Sequence, residues 1–197
     1  MLTHTPTQAS YISKFIPLIG CSILTFIVVI LSSCGTSIPH NSVIVSIADQ
    51  QMLLLKDGKP TKIYRVSTSK FGLSSKRGSR HTPLGEHAVA KKIGGNAPAG
   101  AVFKSRRRTG EILRPNAPGR DPIVTRILWL KGLERHNQNT FSRYIYIHGT
   151  PEEYKIGHPV SYGCIRMKSR DIIDLYHQLD VNSRVTITRA RLRRYTE

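Results

Sequence analysis

The chain has 197 residues, enough for one domain of ordinary size that buries a core without disulfide staples. Lys plus Arg outnumber Asp plus Glu by 30 to 12, giving a formal net charge of +18, and there are only three cysteines. This excludes a disulfide-built scaffold. It leaves two readings of the charge: a solvated basic surface, or a field that attracts polyanions such as nucleic acid, anionic lipid or an acidic wall polymer.

The N-terminal stretch "KFIPLIGCSILTFIVVILSSCGTS" holds an uncharged apolar run from Phe15 to Leu31, preceded by Lys14. A run of that length fits a secretory signal or a short membrane anchor. It ends in "LSSC", Leu31 to Cys34, which resembles a bacterial lipobox, where the signal is cut before the cysteine and the cysteine is lipidated. An uncleaved transmembrane helix is the alternative. Both export everything after residue 35 into a cell envelope, on the periplasmic side of a membrane, and so remove nucleic acid as a partner. Residues 1–33 then form the signal or anchor, 34–41 a tether, 42–190 a folded domain and 191–197 a basic tail. Cys21 leaves with a cleaved signal and Cys34 carries lipid. Cys164 is then the one thiol of the exported domain, with no partner for a disulfide.

The domain opens on Val43, Val45 and Ile47, which alternate with polar positions as in a half-buried strand. Residues 52–56 and 61–67 read as two more strands, joined by a tight turn at Asp57-Gly58. Three short strands in sequence suggest an antiparallel sheet. From 69 to 122 the chain is rich in Gly, Pro, Ser and Arg, with one predicted strand at 86–92. Long irregular stretches inside a compact domain are usually functional loops. Its Arg106 to Arg108 triplet is most simply solvated, and contact with an acidic substrate is the second reading. Strands resume at 123–130 and 143–148. In the latter, Ile145 and Ile147 share one face, and Tyr144, Tyr146 and His148 share the other. "SRDIIDLYHQL" has helical spacing, with Ser169 as the expected N-cap and Asp171 in the first turn. A last strand, "RVTITR", precedes the tail.

The chemistry concentrates in "IHGTPEEYKIGHPVSYGCIRMKSRD", residues 147–171. A thiol attacks a carbonyl as its thiolate, so it needs a base or cation beside it. His148 ends a strand, is followed by Gly149, and is the candidate base. Cys164 sits in a loop leading to the helix. Gly163 keeps bulk away from the thiol and leaves the N–H groups of residues 163 and 164 to face an oxyanion. Arg166 is placed to hold a substrate carboxylate. Histidine before cysteine is the reverse of the order in papain-like and NlpC/P60-like peptidases. The histidines at 81, 87, 148 and 158 lack tight metal-ligand spacing, and neither metal nor cofactor is expected.

These residues resemble the L,D-transpeptidase (YkuD-like) family. The likeness rests on "YIHGT", "GHPVSYGCIRM" and "TPLGEH", with "DQQMLLLKDGKP" and "YRVSTSKFG" upstream, and it spans roughly residues 42–190. It implies a mainly β fold, a sandwich-like catalytic domain with one or two short helices. It implies action on peptidoglycan stem peptides, with Cys164 as nucleophile, His148 as general base, and Ser161, Gly163 and Arg166 matching the rest of the motif. A carbapenem would acylate the same thiol. The family usually has a histidine where this chain has Tyr162. If only the backbone matters there, the tyrosine serves and its hydroxyl is free to meet substrate. If the histidine tunes the thiolate, activity falls; His158 is a weaker stand-in. An L,D-carboxypeptidase and a wall-binding lipoprotein with a decayed site are the rival readings.

Overall fold

The computed structural model describes residues 40–196. The apolar run at 15–31, Cys34 and most of the tether lie outside the described residues. Ten strands and one α-helix follow in chain order: β1 (Asn41–Ser46), β2 (Gln51–Lys56), β3 (Lys59–Arg65), β4 (Gly85–Ile93), β5 (Ala101–Lys104), β6 (Arg107–Ile112), β7 (Ile123–Gly132), β8 (Tyr146–Gly149), β9 (Ile165–Met167), α1 (Ser169–Gln178) and β10 (Arg184–Thr188). The strands form one hydrogen-bonded network ordered β3-β2-β1-β10-β4-β7-β5-β6, from which β8 branches off β7 and carries β9. The fold is mainly β, as expected. Two pairings are parallel, β1 with β10 and β8 with β9.

Alternation decides which side chains enter the core. Val43 and Val45 of β1 point into a large cluster with Met52 and Leu54 of β2, Leu128 and Leu130 of β7, Ile147 of β8, Ile165 and Met167 of β9, and Ile172 and Leu175 of α1. Ile44, between the two valines, points to the opposite face and packs on Leu53 and Leu192. The chain end at 191–196, read as a basic tail, is therefore docked: Leu192 is buried and its N–H donates to Asp49 Oδ2 at 2.7 Å. Arg191 pairs with the same carboxylate group. The β2–β3 hairpin turns at Asp57 and Gly58, both with positive φ (49° and 75°), which matches the strand twist in a two-residue loop.

The structure departs from the sequence reading elsewhere too: the strand read at 143–148 begins only at Tyr146, and Tyr144, with φ 57°, lies in the preceding turn. Part of the Gly- and Arg-rich stretch is an ordered hairpin, β5–β6, turning at Ser105 and Arg106. The arginine triplet lies in that turn and in β6, whose residues are all exposed, so no alternation marks it as a strand. A short strand, β9, stands between the cysteine loop and α1. Helix α1 starts at Ser169 with Lys168 as N-cap, not Ser169. Ser169 instead gives its backbone N–H to Glu153 Oε1 at 2.7 Å, a carboxylate from a separate turn that satisfies one of the free amides of the helix start. No helix among the described residues is long and apolar enough to cross a membrane.

Candidate active site

Strands β8 and β9 set the site. Their parallel register places Ile147 beside Ile165 and His148 beside Arg166. The two isoleucines enter the main core, so His148 and Arg166 share the other face. Cys164, one residue before β9, continues the alternation onto that face. Asp121, Ile123, His148, Tyr162, Cys164 and Arg166 line one cavity of about 160 Å³. A neighbouring cavity of about 300 Å³ shares Asp121, Tyr162 and Arg166 and adds Lys70, Glu152, Lys155 and Val160.

The turn carrying Cys164 is fastened from behind by the segment between β3 and β4. Ser161 N–H donates to Thr68 O at 2.9 Å and Lys70 N–H to Ser161 O at 3.1 Å. Arg166 and Ser67 exchange both backbone hydrogen bonds, at 2.9 and 3.0 Å. Thr82 Oγ1 donates to Gly163 O at 3.0 Å. Ser161 is fully buried and spends its hydroxyl inside the turn, donating to Cys164 O at 2.6 Å and accepting the Gly163 N–H at 3.2 Å. The Gly163 amide, expected to face an oxyanion, is thus already engaged, and Ser161 shapes the turn without facing the cavity. Gly163 has φ of 120°, and a Cβ there would come within 3.3 Å of His81 O. Glycine is required by backbone geometry at this point.

His148 is only 5% exposed, and its Nδ1 lies 2.8 Å from the carbonyl of Gly149. A carbonyl only accepts, so Nδ1 carries the proton and Nε2 keeps its lone pair as a base. Gly149 must be a glycine because β7 passes so close: a Cβ would stand 2.7 Å from Val124 O. Burial pushes His148 down to about 4, against the raising effect of the Gly149 carbonyl; nearby Arg166 lowers it further and Asp121 raises it. Burial also pushes the Cys164 thiol up to about 11, opposed by the Tyr146 N–H and by Arg166 and Arg143. Burial thus favours the uncharged forms of both groups, and Nε2 is the ring atom able to accept a proton.

Arg166 does not stand free to clamp a substrate carboxylate. Its Nη2 lies 2.6 Å from Asp121 Oδ2 and its Nη1 3.5 Å from Glu152 Oε2, all with side chains below one-fifth exposed. Two carboxylates already neutralise it. Tyr162 is 53% exposed, and its hydroxyl accepts from Lys70 Nζ at 3.3 Å. His158 is exposed in the turn after Lys155 and lines neither cavity. Among the described residues no three His, Cys, Asp or Glu side chains converge to hold a metal ion.

The model of the YkuD L,D-transpeptidase catalytic domain matches residues 40–187. The chain belongs to the L,D-transpeptidase family. It is similar to the Bacillus subtilis (strain 168) protein named "Putative L,D-transpeptidase YqjB", at 29% identity over 146 residues, 74% of this chain and 70% of that one. Among solved structures it resembles an L,D-transpeptidase from Mycobacterium tuberculosis H37Rv (TM-score 0.50, 18% identity, 76% of this chain and 58% of that one). It also resembles L,D-transpeptidase 3 from Mycobacterium tuberculosis in complex with a faropenem-derived adduct (TM-score 0.50, 18% identity, 76% and 60%). The chain spans less than two thirds of those two solved chains, and at that identity the likeness is one of fold.

Several residues of this L,D-transpeptidase site had no signal in the sequence. Asp121 lies in an irregular segment 45 positions before Arg166, and Glu152, though inside the 147–171 stretch, carried no mark of pairing with it. Thr82 was inside a quoted motif, "TPLGEH", but its contact with the turn carrying Cys164 spans 81 positions. Arg143 stood at the start of the strand read at 143–148 and Lys70 inside "YRVSTSKFG", and neither was singled out.

Proposed function

We propose that the protein is a peptidoglycan L,D-transpeptidase working through a Cys164 thioester. The observation that supports this best is the single-tautomer His148, with Nε2 unprotonated, lining the same cavity as a half-buried Cys164. The Cys164 sulfur attacks the carbonyl of the L-centre of a tetrapeptide stem as its proton passes to His148 Nε2. The tetrahedral intermediate collapses, the C–N bond to the terminal D-residue breaks, and Nε2 returns the proton to the departing amine. A second amine, from a neighbouring stem or an envelope protein, then attacks the thioester. It gives its proton to Nε2 and the sulfur takes it back. The chain's 30 basic residues suit a polymer rich in carboxylates and phosphates. The "LSSC" run supports export and lipid attachment at Cys34, on the periplasmic side of a bacterial membrane.

The test is incubation of the exported domain with a disaccharide-tetrapeptide, with products read by mass. Cross-linked dimers that vanish in Cys164→Ala are expected. Tripeptide alone assigns hydrolysis, an L,D-carboxypeptidase. Absence of both products, together with no faropenem or carbapenem adduct on Cys164, refutes acyl transfer and leaves a wall-binding protein.

A further inference from the structure

A third cavity, of about 430 Å³, is lined by Tyr162 but not by Arg166, and by Arg77, Arg80, Arg143 and Tyr144 among others. It adjoins the thiol: Cys164 Sγ stands 3.5 Å from the carbonyl oxygen of Tyr144. No acidic residue lines it. Among the described residues, none of its three arginines is in an ion pair. Arg166 and Lys155 are both matched by carboxylates. Three arginines without an acidic partner thus line this cavity, against one such cation, Lys70, in the neighbouring cavity, where its Nζ donates to the Tyr162 hydroxyl.

Arg143 is held at its guanidinium and Arg80 at its backbone. Arg143 donates from Nη1 to Ser74 O at 3.0 Å, and from Nη2 to His81 O at 2.7 Å and Ser79 Oγ at 3.3 Å. Arg80 has a left-handed backbone (φ 57°), its carbonyl accepts from Ser69 Oγ at 2.7 Å, and its guanidinium sits 5.8 Å from the centre of the Tyr162 ring. An arginine pre-set by carbonyl contacts loses little freedom on meeting an anion, and guanidinium geometry suits a carboxylate.

We infer that Arg77, Arg80 and Arg143 form an anion subsite that takes the free carboxylate of the residue leaving from the scissile bond. A terminal carboxylate lies one residue beyond the attacked carbonyl, so a cationic cavity beside the nucleophile is where it falls. The assignment of the anion to a leaving residue rests on the acyl-transfer reading; the anion preference of the cavity does not.

The experiment has two arms, on wild type, Arg77→Ala/Arg80→Ala, and a control, Arg107→Ala/Arg108→Ala, that removes equal charge from exposed β6. In the first arm Cys164 is alkylated with iodoacetate and with iodoacetamide, and the rate ratio is followed at its peptide. The cavity variant should lower the acetate-to-acetamide ratio roughly three- to tenfold, as expected for two partly solvated charge contacts, and the control should not. In the second arm, tetrapeptide donors ending in a carboxylate or a carboxamide are compared. The cavity variant should raise KM for the acid donor alone. An unchanged alkylation ratio, or an equal drop in the control, overturns the subsite. A lowered alkylation ratio with no turnover of either peptide keeps the subsite and overturns only its assignment to a leaving residue. Equal use of both donors by wild type also overturns that assignment.

Discussion

The Nδ1–H of His148 donates to the carbonyl of the next residue, Gly149, at 2.8 Å. This one contact decides the chemistry of the ring, because it leaves Nε2 as the only basic atom. Burial then keeps both partners uncharged, with His148 pushed down to about 4 and Cys164 up to about 11. Alkylation of Cys164 by iodoacetamide, followed at its peptide by mass, should therefore rise about tenfold per pH unit from pH 7 to 10. A rate that is already flat at neutral pH would reveal a resting thiolate–imidazolium pair and sink this description.

The Arg166–Asp121 pair, at 2.6 Å and mostly buried, joins β9 to the loop before β7. Thr150 Oγ1 also donates to Asp121 Oδ1, so the carboxylate is fixed on both oxygens. Asp121→Asn keeps the shape and removes the charge. It should cost about 3 kcal/mol, the range for breaking a buried pair by one partner, with a lowered Tm. A Tm within 2 °C of wild type would show that Glu152 alone suffices for Arg166.

How far the site could be read from the sequence follows from the range of the forces involved. β1 and the core face of α1 repeat with the period of their structure, and β7, buried on both faces, shows as an apolar run, so these elements could be read. The Cys164, His148 and Gly163 positions lie in a compact motif and could be named. Asp121 and Arg143 act across the fold through charge and carbonyl contacts that leave no local pattern. Arg166 illustrates the difference: its place on the site face was legible, but its two carboxylate partners were not, and they change what it can do. The β5–β6 hairpin was hidden because β6 exposes every residue and so shows no apolar alternation.

Tyr162 stands where the resemblance led us to expect a histidine, and among the described residues its hydroxyl bonds to one exposed lysine, Lys70, at 3.3 Å. Its ring carries more: Lys70 Nζ sits 4.7 Å and Phe71 5.6 Å from its centre. An exposed hydrogen bond of this length contributes under about 1 kcal/mol. Tyr162→Phe should then change the rate of acyl-adduct formation by less than about fivefold. A hundredfold loss would place the hydroxyl in the chemistry itself.

His87 lies on β4 with no solvent exposure, its Nδ1 donating to Gly85 O at 2.9 Å and its Nε2 without a partner. Burial pushes it down to about 4. In the unfolded chain a histidine takes up its proton near pH 6.5. Between about 6.5 and 4 the unfolded state thus binds a proton that the folded state refuses. Stability is fully present above this window and falls through it as pH drops, by roughly 3 kcal/mol for a shift of this size. His148 adds a loss of the same sign. Urea midpoints measured from pH 7 to 4 should fall for wild type, and His87→Phe should show a shallower decline, with about one proton fewer taken up on unfolding. Parallel curves for the two proteins would mean that His87 is protonated in the folded state and that its buried Nε2 finds a partner.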